Sequence, residues 1–170
     1  MNNIRSIEIH WTYPKLLKDL QNNPFGSCRG IYQVTRKING VEYIVYIGKT
    51  HQDFITRFKN HFKIHKLPQR SPNYYIRLGV LDAATPKTPL SEEEYKDFLM
   101  DVESAIIWET INVTHARYPE RLCYFINRQQ CNDYTYRCPY YIKILNTGKY
   151  GKIAKEINSK THDDAYLGRN

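Results

Sequence analysis

Two strand-forming runs flank the dipeptide Asn39-Gly40, and this arrangement constrains the fold more than any other feature of the sequence. The runs are rich in Ile, Val and Tyr and together span residues 30–48, GIYQVTRKINGVEYIVYIG. β-branched and aromatic residues favour strands, and Asn-Gly favours the tight turn whose twist suits two antiparallel strands. The sequence therefore predicts a β-hairpin over these residues.

Apolar periodicity predicts elements on both sides of this hairpin. Alternating apolar residues over 7–11 predict a strand, and Thr12 is placed to cap a short helix after it. Beyond the hairpin, phenylalanines recur every fourth residue and Asp53 is placed to cap the first turn. We therefore expect a helix over residues 53–66, closed by Pro68.

The second half of the chain carries weaker patterns. Residues 74–81 are aromatic and β-branched enough for a third strand, and a Ser-x-x-Glu capping box predicts a long helix over residues 91–112. We expect a short strand with loops over residues 118–141 and a terminal helix over residues 150–159. The predicted elements together make a small α+β domain.

Composition bounds the partners and the compartment. The 170 residues carry a net charge of +8 and a pI near 9.3, which favours a polyanionic partner such as nucleic acid. No run approaches the roughly 18 apolar residues of a transmembrane helix, and the first residues do not form a signal peptide. We therefore expect a cytoplasmic protein without membrane contact. The four cysteines form no Cys-x-x-Cys pair, which argues against a zinc site.

Three charged or titratable residues fall beside the predicted apolar faces. Arg57 and His61 are four residues apart, so on one helix both project from the same side, next to the phenylalanine row. Glu103 borders the apolar face of the long helix beside Val102, which holds its carboxylate near the core boundary. A carboxylate in such a place suits a divalent metal.

The hairpin contains two tripeptides that resemble the motif of the GIY-YIG nuclease superfamily. Gly30-Ile31-Tyr32 is followed after thirteen residues by Tyr46-Ile47-Gly48, and then by Lys49, Arg57 and His61. The resemblance covers about residues 28–112. It implies the fold of that superfamily, a small three-stranded antiparallel sheet flanked by helices, here with N- and C-terminal elaborations.

The resemblance also implies roles for the residues of the motif. Tyr32 would orient or deprotonate the attacking water, and Tyr46 would help to position the phosphate. Arg57 would steady the negative charge of the scissile phosphate. His61 matches a histidine of homing and restriction members, and Lys49 matches a lysine of excision-repair members.

The resemblance implies one metal ligand and one supporting asparagine. Glu103 would bind a single divalent cation, Mg²⁺ or Mn²⁺, with Glu109 on the same helix as the fallback. The family asparagine has two candidates here, Asn127 and Asn112. Asn127 is favoured because it follows an apolar run, as the family asparagine does.

A free tyrosine has a pKa of about 10, so Tyr32 could act as a base near neutral pH only with help. Lys49, Arg57 or the metal would have to depress its pKa, or His61 would have to accept its proton. Our hypothesis from the sequence is that Tyr32 and His61 work as a coupled pair.

These observations predict a magnesium-dependent DNA endonuclease that hydrolyses phosphodiester bonds in double-stranded DNA. We expect a restriction-type, sequence-specific enzyme, which leaves a homodimer open. The alternatives are a stand-alone repair, recombination or phage/homing-type nuclease and, from another class, a catalytically inactive nucleic-acid-binding module. The expected organisation is an N-terminal strand and helix (1–27), a nuclease core (28–127) and a basic C-terminal elaboration packed on the core (128–170).

Overall fold

Seven strands form one mixed, curled sheet in the computed structural model, which describes residues 5–81, 90–114 and 142–159. The strands are β1 (Arg5–Trp11), β2 (Lys15–Leu16), β3 (Gly30–Ile38), β4 (Val41–Thr50), β5 (Tyr74–Leu81), β6 (Ile142–Gly148) and β7 (Glu156–Asn158). Their order is β4-β3-β5-β1-β6-β7, and β2 pairs with β5. β1 and β6 are parallel, whereas the other pairs are antiparallel.

Six helical segments connect and cover these strands within the same described ranges. They are a 3₁₀ helix (Leu17–Asn22), α1 (Phe54–Asn60), α2 (Phe62–His65), α3 (Leu67–Arg70), α4 (Glu92–Trp108) and a π-helical turn (Glu109–Thr114). The caps predicted at Asp53 and at Ser91 with Glu94 are confirmed. Asp53 accepts a hydrogen bond from the Thr56 backbone N–H at 2.7 Å, and Ser91 and Glu94 form the capping box of α4.

The predicted hairpin is confirmed as β3 and β4. Asn39 and Gly40 both have positive φ, 50° and 79°, as a two-residue turn between antiparallel strands requires. Successive side chains of β3 point to opposite faces of the sheet. Ile31 joins the apolar cluster that includes α4, whereas Tyr32 joins the cluster that includes α1 and α3. The helices thus cover the hairpin on both faces.

The expected three-stranded antiparallel sheet is wrong. Its three strands exist as β4-β3-β5, but β1 continues the sheet beyond β5, and β6 and β7 extend it further. The buried side chains of Ile7, Ile9 and Trp11 pack with Ile142 and Ile144 of β6. The additional strands therefore enlarge both the sheet and the hydrophobic core.

Several local expectations need correction as well. The helix expected after Thr12 is wrong, because Lys15–Leu16 pairs with β5 and a 3₁₀ helix follows. The helix expected over residues 53–66 breaks at His61, where the backbone is extended (φ −89°, ψ 92°). Pro68 lies in the first turn of α3 instead of ending a helix.

At the C-terminus, the helix expected over residues 150–159 is wrong, since Glu156–Asn158 forms β7. The strands expected over residues 7–11 and 74–81 are confirmed, and the helix expected over 91–112 is confirmed as α4 and the π-helical turn. The strand expected over residues 118–141 lies outside the described residues. In the described parts of the chain, no helix has the length and apolar character needed to cross a membrane.

Candidate active site

Tyr32 and Tyr46 stack on the α1 side of the hairpin. Tyr32 is the register partner of Gly48, and Val34 is the partner of Tyr46, so the two tyrosines are diagonal neighbours on one face. Their ring centroids are 5.9 Å apart at an interplanar angle of 15°. Phe58 of α1 packs edge-on against Tyr32 at 4.7 Å. Both rings are buried, and Tyr32 has no exposed surface.

The glycines of the two tripeptides are explained by close packing. A Cβ at Gly48 would lie 2.5 Å from Tyr32 Oη and 2.6 Å from Tyr46 Cε1, so a side chain there would displace the stacked rings. Gly30 has a φ of +149°, and a Cβ there would collide with the carbonyl oxygen of Gly79 in β5. Backbone and ring packing therefore demand glycine at both positions.

Arg57 of α1 brings a half-buried guanidinium to the hydroxyl of Tyr32. It lowers the pKa of Tyr32, but burial and Tyr46 raise that pKa more, so the net shift is upward. Tyr32 Oη and Arg57 Nε are both buried, and neither makes a hydrogen bond with the correct geometry in the described part of the chain. Two polar atoms at the centre of the site therefore lack partners.

Glu103 supplies the carboxylate of this cluster. It is half-buried on α4, and burial raises its pKa to about 7 against the opposing effects of Lys49 and Arg57. Its charge in turn raises the pKa values of Tyr32 and Tyr46. Lys49 also lowers the pKa of Glu103 through its backbone N–H, since β4 is an edge strand of the sheet. Glu103, not the fallback Glu109, is thus the carboxylate that acts on the tyrosines.

His61 contacts Tyr46 rather than Tyr32. Its Nε2 lies 3.2 Å from Tyr46 Oη, and the two rings meet edge to face at 5.3 Å. Burial and Glu103 raise the pKa of Tyr46, while Arg57 lowers it. The coupled Tyr32–His61 pair expected from the sequence is therefore replaced by a Tyr46–His61 pair.

The structure brings together six of the nine candidate residues that the sequence singled out, the fallback Glu109 included among the nine. These are Tyr32, Tyr46, Lys49, Arg57, His61 and Glu103. The side chain of Asn112 donates from Nδ2 to the Trp108 carbonyl at 3.2 Å, within its own helical segment. Asn127 lies outside the described residues.

Phe58 is a supporting residue whose role was not predicted, although it belongs to the phenylalanine row that predicted α1. The row predicted which face of the helix is apolar, but it did not predict which residues that face would pack against. The edge-on ring contact at 4.7 Å is what shows that Phe58 covers Tyr32.

The donor set of the described residues fits a hydrated divalent cation. Among residues 5–81, 90–114 and 142–159, no three His, Cys, Asp or Glu side chains cluster closely enough to hold a metal ion. Mg²⁺ keeps several waters and is held through one or two carboxylates together with substrate phosphates. Glu103 alone satisfies that requirement.

Comparison of the chain with protein-family models, with curated proteins and with solved structures found no match. The function of the cluster is therefore argued from its own chemistry.

Proposed function

We propose that the protein is a DNA endonuclease that hydrolyses phosphodiester bonds with one divalent cation, through a site of the GIY-YIG kind. One observation carries the proposal. Arg57 and Glu103 come from helices packed on opposite faces of the sheet and act on the same stacked tyrosine pair, Tyr32 and Tyr46. Such a cluster can supply what phosphodiester hydrolysis needs: a cation for the charge of the phosphate, a carboxylate for a metal ion, and a hydroxyl that transfers a proton.

Tyr46 and His61 handle the proton in this proposal. An attacking water must lose a proton as it forms its bond to phosphorus. Burial raises the pKa of both tyrosines, so both hydroxyls stay neutral, and Tyr32 Oη has no hydrogen-bond partner in the described part of the chain that could take its proton. Tyr46 Oη takes the proton from water while donating its own to His61 Nε2, provided that this nitrogen is the unprotonated one.

Arg57 and Lys49 stabilise negative charge around the phosphate. The guanidinium of Arg57 can donate two parallel hydrogen bonds to phosphate oxygens, and its buried Nε lacks a partner. Glu103 would hold Mg²⁺ or Mn²⁺, which acts as a Lewis acid on the phosphate when bound. Tyr32 fixes the position of Tyr46 through the stacked rings.

The substrate of the proposal is double-stranded DNA. A net charge of +8 favours a polyanion, and the resulting affinity should weaken as salt increases. Restriction-type, sequence-specific cleavage is the role we propose within this class.

Digestion of supercoiled plasmid tests the proposal. We expect nicked and linear products with Mg²⁺ and none with a chelator in excess. Discrete fragments from a large DNA would support sequence-specific cleavage, whereas a smear would support a non-specific or structure-selective nuclease. Retarded but uncut plasmid would contradict the enzyme and support a binding module.

A further inference from the structure

A groove of about 500 Å³ lies between the β1–β2 connection and the turn at residues 23–25. This volume is within the range of about 300–1,000 Å³ typical of small-molecule sites. The buried indole of Trp11 lines the groove, and its Nε1 is already satisfied by Asn146 Oδ1 at 2.8 Å. The groove is separate from the contacts of the tyrosine cluster.

Two aromatic side chains of the groove are unusually accessible. Tyr13 is 68% exposed and Phe25 is 41% exposed, although both are large enough to favour burial. The ammonium of Lys149 lies 5.1 Å from the centroid of the Tyr13 ring. Exposed aromatic faces beside a cation are the arrangement on which unpaired nucleic acid bases stack.

The charge of the groove has one sign. Lys15 and Lys149 line it, and none of its described lining residues is Asp or Glu. Both lysines are exposed, so their ammonium groups are available to a ligand. A positive, aromatic groove suits a phosphate-bearing planar ligand.

Asn23 adds a specific donor. Its side chain is only 5% exposed, and its Oδ1 accepts a hydrogen bond from the Phe25 backbone N–H at 3.0 Å. Its Nδ2 is buried and makes no hydrogen bond with any described group. A buried donor is normally paired, so an acceptor from outside the described chain is expected here.

Hydrogen bonds tie both walls of the groove to the tyrosine cluster. The Thr12 backbone N–H donates to the Leu78 carbonyl at 2.9 Å, and the Leu78 N–H donates to Thr12 Oγ1 at 3.0 Å. Leu78 is the register partner of Tyr32. On the other wall, the Gly26 carbonyl accepts from the Ile55 N–H in the first turn of α1. The groove is thus held in a fixed relation to Arg57 on that helix.

We infer that the groove binds an unstacked nucleotide of the DNA substrate. The base stacks on Tyr13 and Phe25, a base carbonyl oxygen accepts from Asn23 Nδ2, and the flanking phosphates contact Lys15 and Lys149. That the bound DNA is also a substrate rests on the proposed function. That the groove binds a base does not depend on it.

Binding of single-stranded oligonucleotides tests the inference. A labelled oligothymidylate and an abasic oligonucleotide of the same length are titrated with the protein, and binding is followed by fluorescence anisotropy. We expect the thymidylate to bind at least about tenfold more tightly, and Tyr13→Ala and Phe25→Ala each to lose most of that preference. Both residues are exposed, so these substitutions leave the core intact.

Matched controls come from α4. Met100→Ala removes an exposed apolar side chain and Lys96→Ala an exposed charge, and both should bind like the wild type. Equal affinity of the wild-type protein for the two oligonucleotides would overturn the inference. Unchanged base preference in both Tyr13→Ala and Phe25→Ala would also overturn it.

Plasmid cleavage measured in parallel separates the two proposals. Cleavage without base-dependent binding would overturn the proposed nucleotide site in the groove and support the proposed nuclease activity. Base-dependent binding without cleavage would support the nucleotide site and contradict the nuclease activity. Arg57→Ala should abolish cleavage and keep the base preference, because Arg57 does not line the groove.

Discussion

The hydroxyl of Tyr46 lies 3.2 Å from Nε2 of His61, and this pair joins β4 to the junction of α1 and α2. The contact occurs where the helix breaks, since the extended backbone of His61 separates the two helices. A continuous helix would have continued the 3.6-residue period of α1 through His61. The break and the tyrosine contact occur at the same residue.

Tyr46→Phe and His61→Ala test whether the pair acts as one unit. If both residues carry one proton, each substitution should lower the cleavage rate by about 10²-fold or more, and the double variant should be little worse than either. Single-turnover rates on plasmid measure this, with His65→Ala as the exposed histidine control. Multiplicative effects in the double variant would contradict a shared proton path.

Gly48→Ala tests the packing of the stacked tyrosines. The added Cβ would collide with both rings, so we expect a loss of about 1–3 kcal/mol in the free energy of unfolding, together with lost cleavage. Urea denaturation measures the stability. Gly40→Ala is the control, because its Cβ meets no atom within 4 Å and carries only the strain of a φ of +79°. An unchanged urea midpoint for Gly48→Ala would contradict the packing.

Glu103 makes stability depend on pH in a direction opposite to that of most carboxylates. Burial raises its folded-state pKa to about 7 from 4.5, so the folded protein binds the proton more tightly than the unfolded chain does. The contribution of Glu103 to the free energy of unfolding is therefore fully present below about pH 4.5 and is lost as the pH rises through 7. Relative to Glu103→Gln, the wild type should lose up to about 3 kcal/mol across this window.

Denaturant titrations without divalent cations, repeated across this pH range, measure the difference. If the difference in the free energy of unfolding between Glu103→Gln and the wild type stayed constant over this pH range, Glu103 would not titrate within it. Glu93→Gln, an exposed position on the same helix, should track the wild type throughout.

The buried ion pair of Arg77 with Glu42 stabilises the sheet on its other face. Arg77 is 5% exposed and donates from Nη2 to Glu42 Oε2 at 2.9 Å. Burial raises the pKa of Glu42, but hydrogen bonds from Arg77 and Thr35 outweigh it and leave the pKa lowered. The ion pair therefore contributes to the free energy of unfolding at pH values above the ordinary carboxyl pKa. This contribution is lost as the pH falls through the lowered pKa of Glu42.

Glu42→Gln should therefore cost about 3 kcal/mol in the free energy of unfolding near neutral pH, because it leaves Arg77 buried without a full counter-charge. The exposed pair of Arg29 with Glu92, at 2.8 Å, is the matched control, and Glu92→Gln should cost much less. Equal losses in the two variants, measured by urea denaturation, would contradict a special role for the buried pair.

Features set by neighbouring residues could be predicted from the sequence. The hairpin depends on Asn39-Gly40, and the helix starts depend on Asp53 and on the Ser91–Glu94 box. Each is decided within a few residues, so the local pattern suffices.

Features set by distant residues could not be predicted. Trp11 of β1 bonds to Asn146 of β6 across 135 positions, and the parallel pairing of these strands enlarges the sheet. The segment of β7 shows isoleucines four apart, Ile153 and Ile157, but both are buried in the cluster around α4. The four-residue spacing suggested a helix, but a turn followed by a strand also buries both isoleucines.

The candidate site divides in the same way. Its residues could be listed from the motif, but which hydroxyl meets which partner could not. From the sequence, Tyr32 could act as a base only with a depressed pKa or with His61 as the acceptor of its proton. The packing of Phe58 and Tyr46 around Tyr32 instead buries the hydroxyl and raises the pKa. Burial of one atom depends on the whole sheet and its helices.

Plasmid cleavage by charge-matched variants tests the proposed nuclease site most directly. Wild-type protein, Arg57→Ala and Glu103→Gln are compared with Arg70→Ala and Glu93→Gln, which alter exposed residues of the same types. We expect Mg²⁺-dependent nicking by the wild type and both controls, and at least about 10²-fold slower nicking by the two site variants. Nicking by Arg57→Ala and Glu103→Gln at the wild-type rate would contradict the proposed site.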